Sequence, residues 1–365
     1  PGYGFFSENT DFARAITERG VTFIGPPPES IEVMGDKVSS RIAAQEAGVS
    51  GVPGTTEFLT SGDEVVAFGN EFGWPVAIKA AYGGGGRGMR VVNSAAEAEE
   101  ALASAQSEAL KGFGRDECYV ERYLTWPRHV EMQIIGDKHG NCVWIGERDC
   151  SVQRRHQKLI EESPAPNFPP EIRQAMGEAA VKVAKACGYY NAGTVEFLYE
   201  DGEFYFLEMN TRLQVEHPVT EMVTGIDLVK WQLRIAAGQP LNFTQEDVRI
   251  SGCAIECRIN AEDPARGNMP CAGKVTLLHA PGGPWVRLDT ALYQDYVVPP
   301  FYDSMIAKLI VHAKTREEAL RKMQAALGEL VIEGVAHNSE LQVELLQDER
   351  FVAGSYTTDF MSKWG

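Results

Sequence analysis

The segment Glu208–His217 has the sequence Glu-Met-Asn-Thr-Arg-Leu-Gln-Val-Glu-His, in which every second residue from Glu208 to Glu216 is polar or charged. Alternate side chains of an extended chain lie on the same side, so this period predicts one polar face. A half-exposed strand is the ordinary explanation of such a pattern. Glu208, Asn210 and the earlier Glu196 would also supply the oxygen ligands that Mg²⁺ prefers beside nucleotide phosphates.

The segment begins in the second strand of a predicted hairpin. The two strands of this hairpin, 193–199 and 204–210, are joined by a turn near Asp201-Gly202. A strict two-residue turn would place Glu196 opposite Leu207, and the carboxylates of Glu196 and Glu208 would then point to opposite faces. The metal-site interpretation therefore predicts a three-residue loop or a β-bulge in this hairpin.

The stretch after Lys79 is rich in glycine and ends with the sequence Gly83-Gly84-Gly85-Gly86-Arg87-Gly88. Glycines let backbone amides surround an anion because no Cβ holds it away. A P-loop would need Lys where Met89 stands, and a dinucleotide fingerprint would open a helix where 89–92 predicts a strand. The stretch favours a flap over ATP phosphates, and a disordered glycine hairpin is the alternative.

A basic cluster, Gln153-Arg154-Arg155-His156-Gln157-Lys158, stands out in a chain of formal net charge −17. A solvated basic loop is the ordinary explanation. Concentrated positive charge in so acidic a chain also favours an anion site for phosphate or bicarbonate.

The composition limits the class of protein. With 365 residues, two or more domains are expected. The negative charge argues against nucleic-acid and membrane-surface binding, and no apolar run is long enough to span a bilayer. Seven cysteines without a CxxC pair or a secretion signal indicate reduced thiols and a cytoplasmic protein. The start at Pro1, without an initiator Met, suggests an N-terminally truncated chain.

The secondary-structure pattern is mixed α+β, with hairpins rather than strand–helix alternation. Asp36 is predicted to cap a helix that ends at Gly48, and Ser94 with Glu97 to form a capping box. Further predicted helices and strands are 76–79, 89–92, 94–110, 119–123, 128–135, 141–148 and 170–187.

Several longer strings resemble the signature motifs of biotin carboxylases, over the whole chain. They are Pro1–Phe5, Arg128–Glu131, Glu147–Lys158, Glu208–His217, Cys257–Glu262 and Pro299–Ser304. The resemblance implies an ATP-grasp fold in which 1–24 is a remnant of a Rossmann-like domain, 25–50 a helical linker, 51–123 a mobile lid and 124–365 the catalytic domain. It implies an enzyme that uses ATP, Mg²⁺ or Mn²⁺, and bicarbonate to carboxylate protein-bound biotin.

The same resemblance implies residue roles. The ATP-binding positions are Lys37, Lys79, Gly83, Gly84, Gly85, Gly86, Arg87, Gly88, Met89, Glu121, Arg122, Leu124, His129, Gln153, His156, Leu198 and Glu208. The metal ligands are Glu196, Glu208 and Asn210. The bicarbonate site is Lys158, Arg212, Gln214, Val215 and Glu216, with Glu216 as the base, and the biotin site is Tyr3 and Arg258. Lys158, Arg212, Glu216 and Arg258 are the catalytic group.

Arg258 also has a structural explanation. On an alternating strand it shares a face with Glu256 and Glu262, and either could pair with it for stability.

The expected partners are a biotin carboxyl carrier protein, carboxyltransferase subunits and a second copy of the chain. Bacterial acetyl-CoA carboxylase, which supplies malonyl-CoA for fatty-acid synthesis, is the simplest parent complex. The alternatives are a propionyl-, methylcrotonyl- or pyruvate carboxylase, or an inactive ATP-binding scaffold.

Overall fold

The computed structural model describes residues 1–55, 57–81, 89–155 and 157–364, without the side chains of 37, 38, 112 and 113. The chain forms two compact units, Pro1–Val49 with Arg128–Gly365 and Ser50–Pro127. The predicted lid, 51–123, falls within the second unit, and its mobility stays a prediction. No helix of the described part of the chain is long and apolar enough to cross a membrane.

Helices and strands are mixed along the chain, in agreement with the predicted α+β class. The helices are α1 (Thr10–Glu18), α2 (Pro28–Gly35), α3 (Lys37–Glu46), α4 (Gly62–Phe72), α5 (Ala98–Phe113), α6 (Pro170–Ala186), α7 (His217–Thr224), α8 (Leu228–Ala236), α9 (Arg316–Glu329), α10 (Ser339–Gln347) and α11 (Glu349–Ala353). The strands are β1 (Val76–Ala80), β2 (Met89–Val92), β3 (Cys118–Arg122), β4 (Arg128–Gly136), β5 (Cys142–Arg154), β6 (Gln157–Ser163), β7 (Asn191–Glu200), β8 (Glu203–Asn210), β9 (Cys253–Asn260), β10 (Glu262–Asp263), β11 (Met269–Pro270), β12 (Gly273–Lys274), β13 (Leu277–His279), β14 (Val286–Thr290), β15 (Val297–Val298), β16 (Met305–Ala313) and β17 (Val331–Glu333). Short 3₁₀ turns lie at Ala95–Glu97, Gln245–Asp247, Pro264–Arg266 and Phe360–Lys363.

The larger unit is built on one antiparallel sheet with the strand order β14-β16-β9-β6-β5-β4-β7-β8. At one end, buried residues of α6 such as Met176 and Val183 pack on Val130 and Phe197 of β4 and β7. At the other end, Leu320 of α9 and Leu345 of α10 pack in one cluster with Ile255 of β9 and Leu309 of β16. Burial of these apolar side chains is the main source of stability for the sheet.

Helix α7 lies over the middle of this sheet and positions the candidate site. Val219 and Val223 pack against Ala254 of β9 and Ile310 of β16. Glu216 is the N-cap residue of this helix. The apolar contacts of α7 therefore hold the Glu216 carboxylate over the sheet face that β6 and β9 share.

The smaller unit has a three-stranded antiparallel sheet with the order β2-β1-β3. Helices α4 and α5 cover it, with Phe68 and Leu102 packed on Ile78 and Val120. Lys79 and Glu121 extend from β1 and β3 of this sheet and form an ion pair with each other.

Most helix ends agree with the sequence, but one capping prediction is wrong. The Asp36 carboxylate accepts a hydrogen bond from the Ser39 amide at 2.7 Å, as an N-cap should. The Ser94 hydroxyl instead donates to the Glu97 carboxylate at 3.2 Å, and α5 begins only at Ala98. Because that hydroxyl is occupied by its own neighbour, no capping box forms.

Four residues of the basic cluster lie in two paired strands rather than in a loop, since Gln153 pairs with Lys158 and Arg154 with Gln157. Strand β5 extends to Arg154, beyond the predicted end at 148, and β6 begins at Gln157. Arg155 has a φ of 53° in the turn between them. The strand geometry brings Lys158 into the sheet, while Arg154 pairs with Glu262.

Candidate active site

Lys158 is surrounded by three carboxylates on the large sheet. Its Nζ donates to Glu131 Oε2 at 2.7 Å, Glu196 Oε1 at 3.0 Å and Glu216 Oε1 at 2.6 Å. The three glutamates come from β4, β7 and the N-terminus of α7, and all three are buried. A lysine has three donors, so this ammonium is saturated by these contacts.

A fully buried guanidinium supports this cluster. Arg148 of β5 donates to Glu131 Oε1 at 2.5 Å and to Gln214 Oε1 at 2.8 Å. Its other hydrogen bonds go to Gln133 Oε1 at 2.7 Å, Thr220 Oγ1 at 3.0 Å and Thr194 Oγ1 at 3.1 Å. Arg148 therefore ties β4, β7, α7 and the segment before α7 to one point.

The hairpin β7–β8 contains the bulge that the metal-site interpretation requires. Its turn is the two-residue Asp201-Gly202, with φ values of 52° and 85°. The register then shifts by one residue, so Phe197 pairs with Phe206 and Glu196 pairs with Glu208. Cross-strand partners project from the same face. The predicted bulge is confirmed, and both carboxylates lie on one side of the hairpin.

The polar segment after Asn210 is not extended, which corrects the sequence interpretation. Strand β8 ends at Asn210, and 211–216 form a turn that leads into α7. The polar side chains converge nevertheless. Arg212 donates to Asn210 Oδ1 at 2.8 Å, and Gln214 donates to Glu196 Oε1 at 2.7 Å. The turn is fixed from outside by Glu8, which accepts hydrogen bonds from Thr211 and Arg212.

Arg258 of β9 is held between two carboxylates. Its Nε donates to Glu161 Oε1 at 2.5 Å, and one Nη donates to Glu216 Oε2 at 2.9 Å. The predicted structural partners were Glu256 and Glu262, and neither receives a hydrogen bond from Arg258. The pairing of β6 with β9 brings Glu161 to it instead, which the sequence alone could not show.

The other biotin-site prediction, Tyr3, lies close to the strand that pairs with β9. Its ring centroid is 5.2 Å from the Nζ of Lys308. Lys308 is the cross-strand partner of Arg258 and donates to the carbonyl oxygen of Val215. This places Tyr3 and Val215 around the same lysine.

The predicted nucleotide residues divide between the two units. The Nε2 atom of His129 lies 2.7 Å from Glu196 Oε2, and its Nδ1 contacts the Gln153 amide at 2.8 Å. Leu198 is half-buried on β7 of the same unit. In the smaller unit the Lys79–Glu121 pair is accompanied by Met89, Arg122 and the buried Leu124. The predictions at Gly83, Gly84, Gly85, Gly86, Arg87, Gly88, His156 and the Lys37 side chain lie outside the described residues.

The cations determine the ionisation of the buried acids. Burial alone would raise the pKa of Glu216, but Lys158, Arg258 and Arg148 outweigh it and hold that pKa well below its usual range. Burial opposes ionisation of Glu196 too, and Lys158 and His129 lower its pKa. Burial would lower the pKa of His129, but the Glu196 carboxylate raises it. Glu196 and Glu216 are therefore ionised, and although burial would lower the pKa of Lys158, the surrounding carboxylates raise it and keep Lys158 charged.

Some residues of the site were missed by residue-by-residue reasoning. Glu131 and Arg148 stand inside two of the quoted motifs but received no role, and Glu8 and Glu161 were not considered. Arg148 and Glu131 occupy long strands that are buried over most of their length, where a charged residue requires a buried partner. That rule could have identified them.

Three family models match the chain. They are the biotin carboxylase N-terminal domain at residues 1–31, the carbamoyl-phosphate synthase L chain ATP-binding domain at 36–244 and the biotin carboxylase C-terminal domain at 256–363.

Curated relatives match over the full length of this chain. A biotin carboxylase of Haemophilus influenzae is 53% identical over 367 residues, covering 100% of this chain and 81% of the relative. A pyruvate carboxylase subunit of Methanothermobacter thermautotrophicus is 49% identical over 364 residues, covering 100% of this chain and 74% of the relative. A crystal structure of the biotin carboxylase domain dimer of Hydrogenobacter thermophilus 2-oxoglutarate carboxylase, with MgADP, ADP and bicarbonate, superimposes with a TM-score of 0.87 at 48% identity, covering 100% of this chain and 80% of that chain.

Proposed function

The chain belongs to the biotin carboxylase family, and on this premise we propose that it carboxylates biotin on a biotin carboxyl carrier protein, as the first half-reaction of acetyl-CoA carboxylase. Family membership makes it an ATP-dependent ligase with an ATP-grasp fold. The observation that carries the assignment of the site is the position of the Glu216 carboxylate, between the Lys158 ammonium and the Arg258 guanidinium. A base and two cations at one point suit the activation of an anionic substrate.

Bicarbonate becomes a nucleophile when it loses its remaining proton, and Glu216 is the proposed acceptor. The low pKa of Glu216 keeps it ionised, and therefore able to accept a proton, before the substrate enters. An entering bicarbonate competes for the donors of Lys158 and Arg258. As those donors leave Glu216, its pKa rises, and its strength as a base increases when the substrate is bound.

The next steps use the same groups. A bicarbonate oxygen attacks the γ-phosphorus of ATP, ADP leaves, and carboxyphosphate forms. Carboxyphosphate decomposes to CO₂ and phosphate, the phosphate removes the N1′ proton of biotin, and N1′ then attacks CO₂ to form carboxybiotin. The negative charge that develops on the ureido oxygen lies opposite Arg258, which stabilises it. Arg212, Gln214 and Val215 complete the bicarbonate site in this proposal.

The donor set of the hairpin fits a divalent ion. Glu196 and Glu208 lie opposite each other across the bulged hairpin, and the Asn210 side chain is in contact with Glu196. Two carboxylates and an amide oxygen are hard ligands of the kind that Mg²⁺ and Mn²⁺ bind. We assign the ion to Glu196, Glu208 and Asn210, where it would neutralise phosphate charge. The described members of the ATP-binding prediction stay proposals for each unit by itself. They are Lys79, Met89, Glu121, Arg122 and Leu124 in the smaller unit, and His129, Gln153, Leu198 and Glu208 in the larger one.

The parent complex and partners are part of the proposal. Carboxyltransferase subunits and a second copy of the chain are the expected partners, and the relative from Hydrogenobacter thermophilus is described as a domain dimer. The 49% identity to a pyruvate carboxylase subunit favours pyruvate carboxylase as the second candidate. Carboxyl-transfer assays with the purified carrier and transferase partners distinguish acetyl-CoA from pyruvate as the final acceptor.

The test of the base is Glu216→Gln. The amide keeps the shape of the side chain but cannot take the bicarbonate proton, so bicarbonate-dependent ATP cleavage should fall ~10²–10⁴-fold while ATP affinity is largely kept. Turnover equal to that of the unaltered enzyme would remove Glu216 from the mechanism.

The test of biotin stabilisation is Arg258→Ala, with ATP affinity, melting temperature and biotin carboxylation measured on one purified variant. Loss of biotin carboxylation with normal ATP affinity supports the catalytic role, because the guanidinium is needed when the ureido oxygen becomes anionic. A lower melting temperature with normal specific activity in the folded fraction would instead make Arg258 a structural residue.

A further inference from the structure

Glu161 of β6 and Glu256 of β9 lie directly opposite each other on adjacent strands. Both side chains are fully buried. Cross-strand partners have Cβ atoms about 4.5–5.5 Å apart, which brings their carboxyl groups within reach of each other. Arg258 stands two residues after Glu256 and therefore on the same face of β9.

The two carboxyl groups have too few donors for two negative charges. Glu161 Oε1 accepts the Nε hydrogen bond of Arg258 at 2.5 Å. Glu161 Oε2 and both carboxyl oxygens of Glu256 are buried, and no donor within the described ranges bonds to them. Burial of an ionised carboxylate without hydrogen bonds is very costly, so groups in this situation take up a proton instead.

The surroundings do not supply the missing positive charge. The charged and titratable groups on the elements around the pair are Arg148 on β5, Lys158 on β6, Arg258 on β9, Lys308 on β16 with Asp289 on β14, and Glu216, His217 and Glu221 at α7. The Nζ of Lys308 is bonded to the Val215 carbonyl oxygen. Burial and Lys308 lower the pKa of His217 to about 3, so it is neutral.

The direction of titration agrees with this geometry. Burial raises the pKa of Glu161 to about 7, although Arg258 opposes the rise. Burial also raises the pKa of Glu256 far above its usual range, and Lys308 offsets only part of that effect.

We propose that Glu161 and Glu256 share one proton and act together as a singly charged positioning pair for Arg258. The proton on Glu256 is donated to Glu161 Oε2, which satisfies oxygens of both groups. The charge remains on Glu161 and holds the Nε of Arg258, which leaves its Nη groups for Glu216 and for the ureido oxygen of biotin. The pair holds Arg258 in place when Glu216 takes the bicarbonate proton and loses its charge. This inference rests on the proposed role of Arg258.

The proton itself can be detected without any assay of activity. Infrared spectra of the purified protein in water and in deuterium oxide should contain the carbonyl band of a protonated carboxylic acid at neutral pH, and Glu256→Gln should remove it. Glu161→Gln, which removes the other member of the pair, is the second variant. A band that both variants retain would overturn the proposal.

Glu162→Gln is the matched control, since Glu162 is the next residue on β6, is buried, and binds Arg316 and the Tyr356 hydroxyl. It should leave the band unchanged.

The positioning role has its own readout. In Glu161→Gln, a charge-assisted hydrogen bond to Arg258 becomes a neutral one, so biotin-dependent turnover should fall about tenfold while the KM for ATP stays the same. In Glu256→Gln, the new amide donates to Glu161 and keeps it ionised at lower pH. The acidic limb of the turnover profile should therefore move to lower pH, by about one unit.

A turnover and a pH profile equal to those of Glu162→Gln would refute the positioning role. The infrared result separates this failure from a failure of the proposed function. If the unaltered chain does not carboxylate biotin, the proposed function is wrong. The infrared band still shows in that case whether Glu161 and Glu256 hold a proton.

Discussion

Two groups of buried glutamates, on the large sheet and at the N-terminus of α7, differ in the number of cations that they contact. Glu131, Glu196 and Glu216 surround Lys158 and also contact Arg148, His129 or Arg258. Glu161 and Glu256 have one hydrogen-bonded cation between them, Arg258. Burial raises carboxyl pKa values in both places. The pKa values of Glu196 and Glu216 nevertheless fall and those of Glu161 and Glu256 rise. The direction differs because nearby cations outweigh burial in the first group and do not outweigh it in the second.

Stability alone does not account for the first group, since a buried ion network roughly balances its desolvation cost. Its effect is to fix positions. Arg148 ties the segment before α7 to β4, and Lys158 holds the Glu216 carboxylate over the sheet. Because the charges of this first group are already held in fixed positions, the group is suited to bind a further ion.

The largest effect should come from removing the central cation. Lys158→Met leaves three buried carboxylates around an apolar side chain, so the free energy of unfolding should fall by ~3–5 kcal/mol. Urea titration followed by circular dichroism measures this. Lys230→Met, at an exposed position of α8, is the control and should change stability by less than about 0.5 kcal/mol. A loss for Lys158→Met as small as that of the control would show that the carboxylates do not depend on this cation.

A smaller loss is expected when the charge is kept and the geometry is removed. Arg148→Lys retains one positive charge but has only three donors for the five acceptors that Arg148 satisfies. The unsatisfied acceptors should lower the free energy of unfolding by ~1–3 kcal/mol. Unchanged stability would mean that the positive charge at position 148 organises the cluster and that the planar arrangement of the guanidinium donors does not.

The smallest effect is on the pH dependence of stability, and its sign differs between the groups. The pKa of Glu216 is depressed by folding, so its contribution to stability is present above its ordinary value of 4.5 and lost as the pH falls below it. The pKa of Glu161 is raised from 4.5 to about 7, so its contribution is present below 4.5 and lost as the pH rises to about 7.

The melting temperature should therefore contain a component that declines between about pH 4.5 and pH 7, and Glu161→Gln should remove it. Differential scanning calorimetry at several pH values measures this slope. An identical slope in the variant and the unaltered protein would contradict the raised pKa of Glu161.

The sequence predicted local features of the fold well because they depend on neighbouring residues. The N-cap at Asp36 and the turn at Asp201-Gly202 are set by short-range chemistry. The bulge could be predicted because a metal pair made of Glu196 and Glu208 conflicts with the register of that turn.

The contacts of the site could not be predicted from local pattern. The extended interpretation of 208–216 is wrong because the apolar contacts of α7 with β9 and β16 draw the chain into a turn after Asn210. The partners of Arg148 and Arg258 come from strands far apart in sequence. Only the order of strands in the sheet brings them together, and residue periodicity does not determine that order.

The bulge in β7–β8 makes the tip of the hairpin independent of its base. Beyond the bulge, residues pair as the two-residue turn dictates, and below it they pair one position later. A designer could therefore replace the tip, from Phe197 to Phe206, with another two-residue hairpin of the same length and leave Glu196 facing Glu208. Deletion of the single residue Leu207 would instead rotate every side chain on one side of the cut to the opposite face. The single extra residue, Leu207, thus allows an ordinary two-residue turn to be combined with the pairing of Glu196 and Glu208.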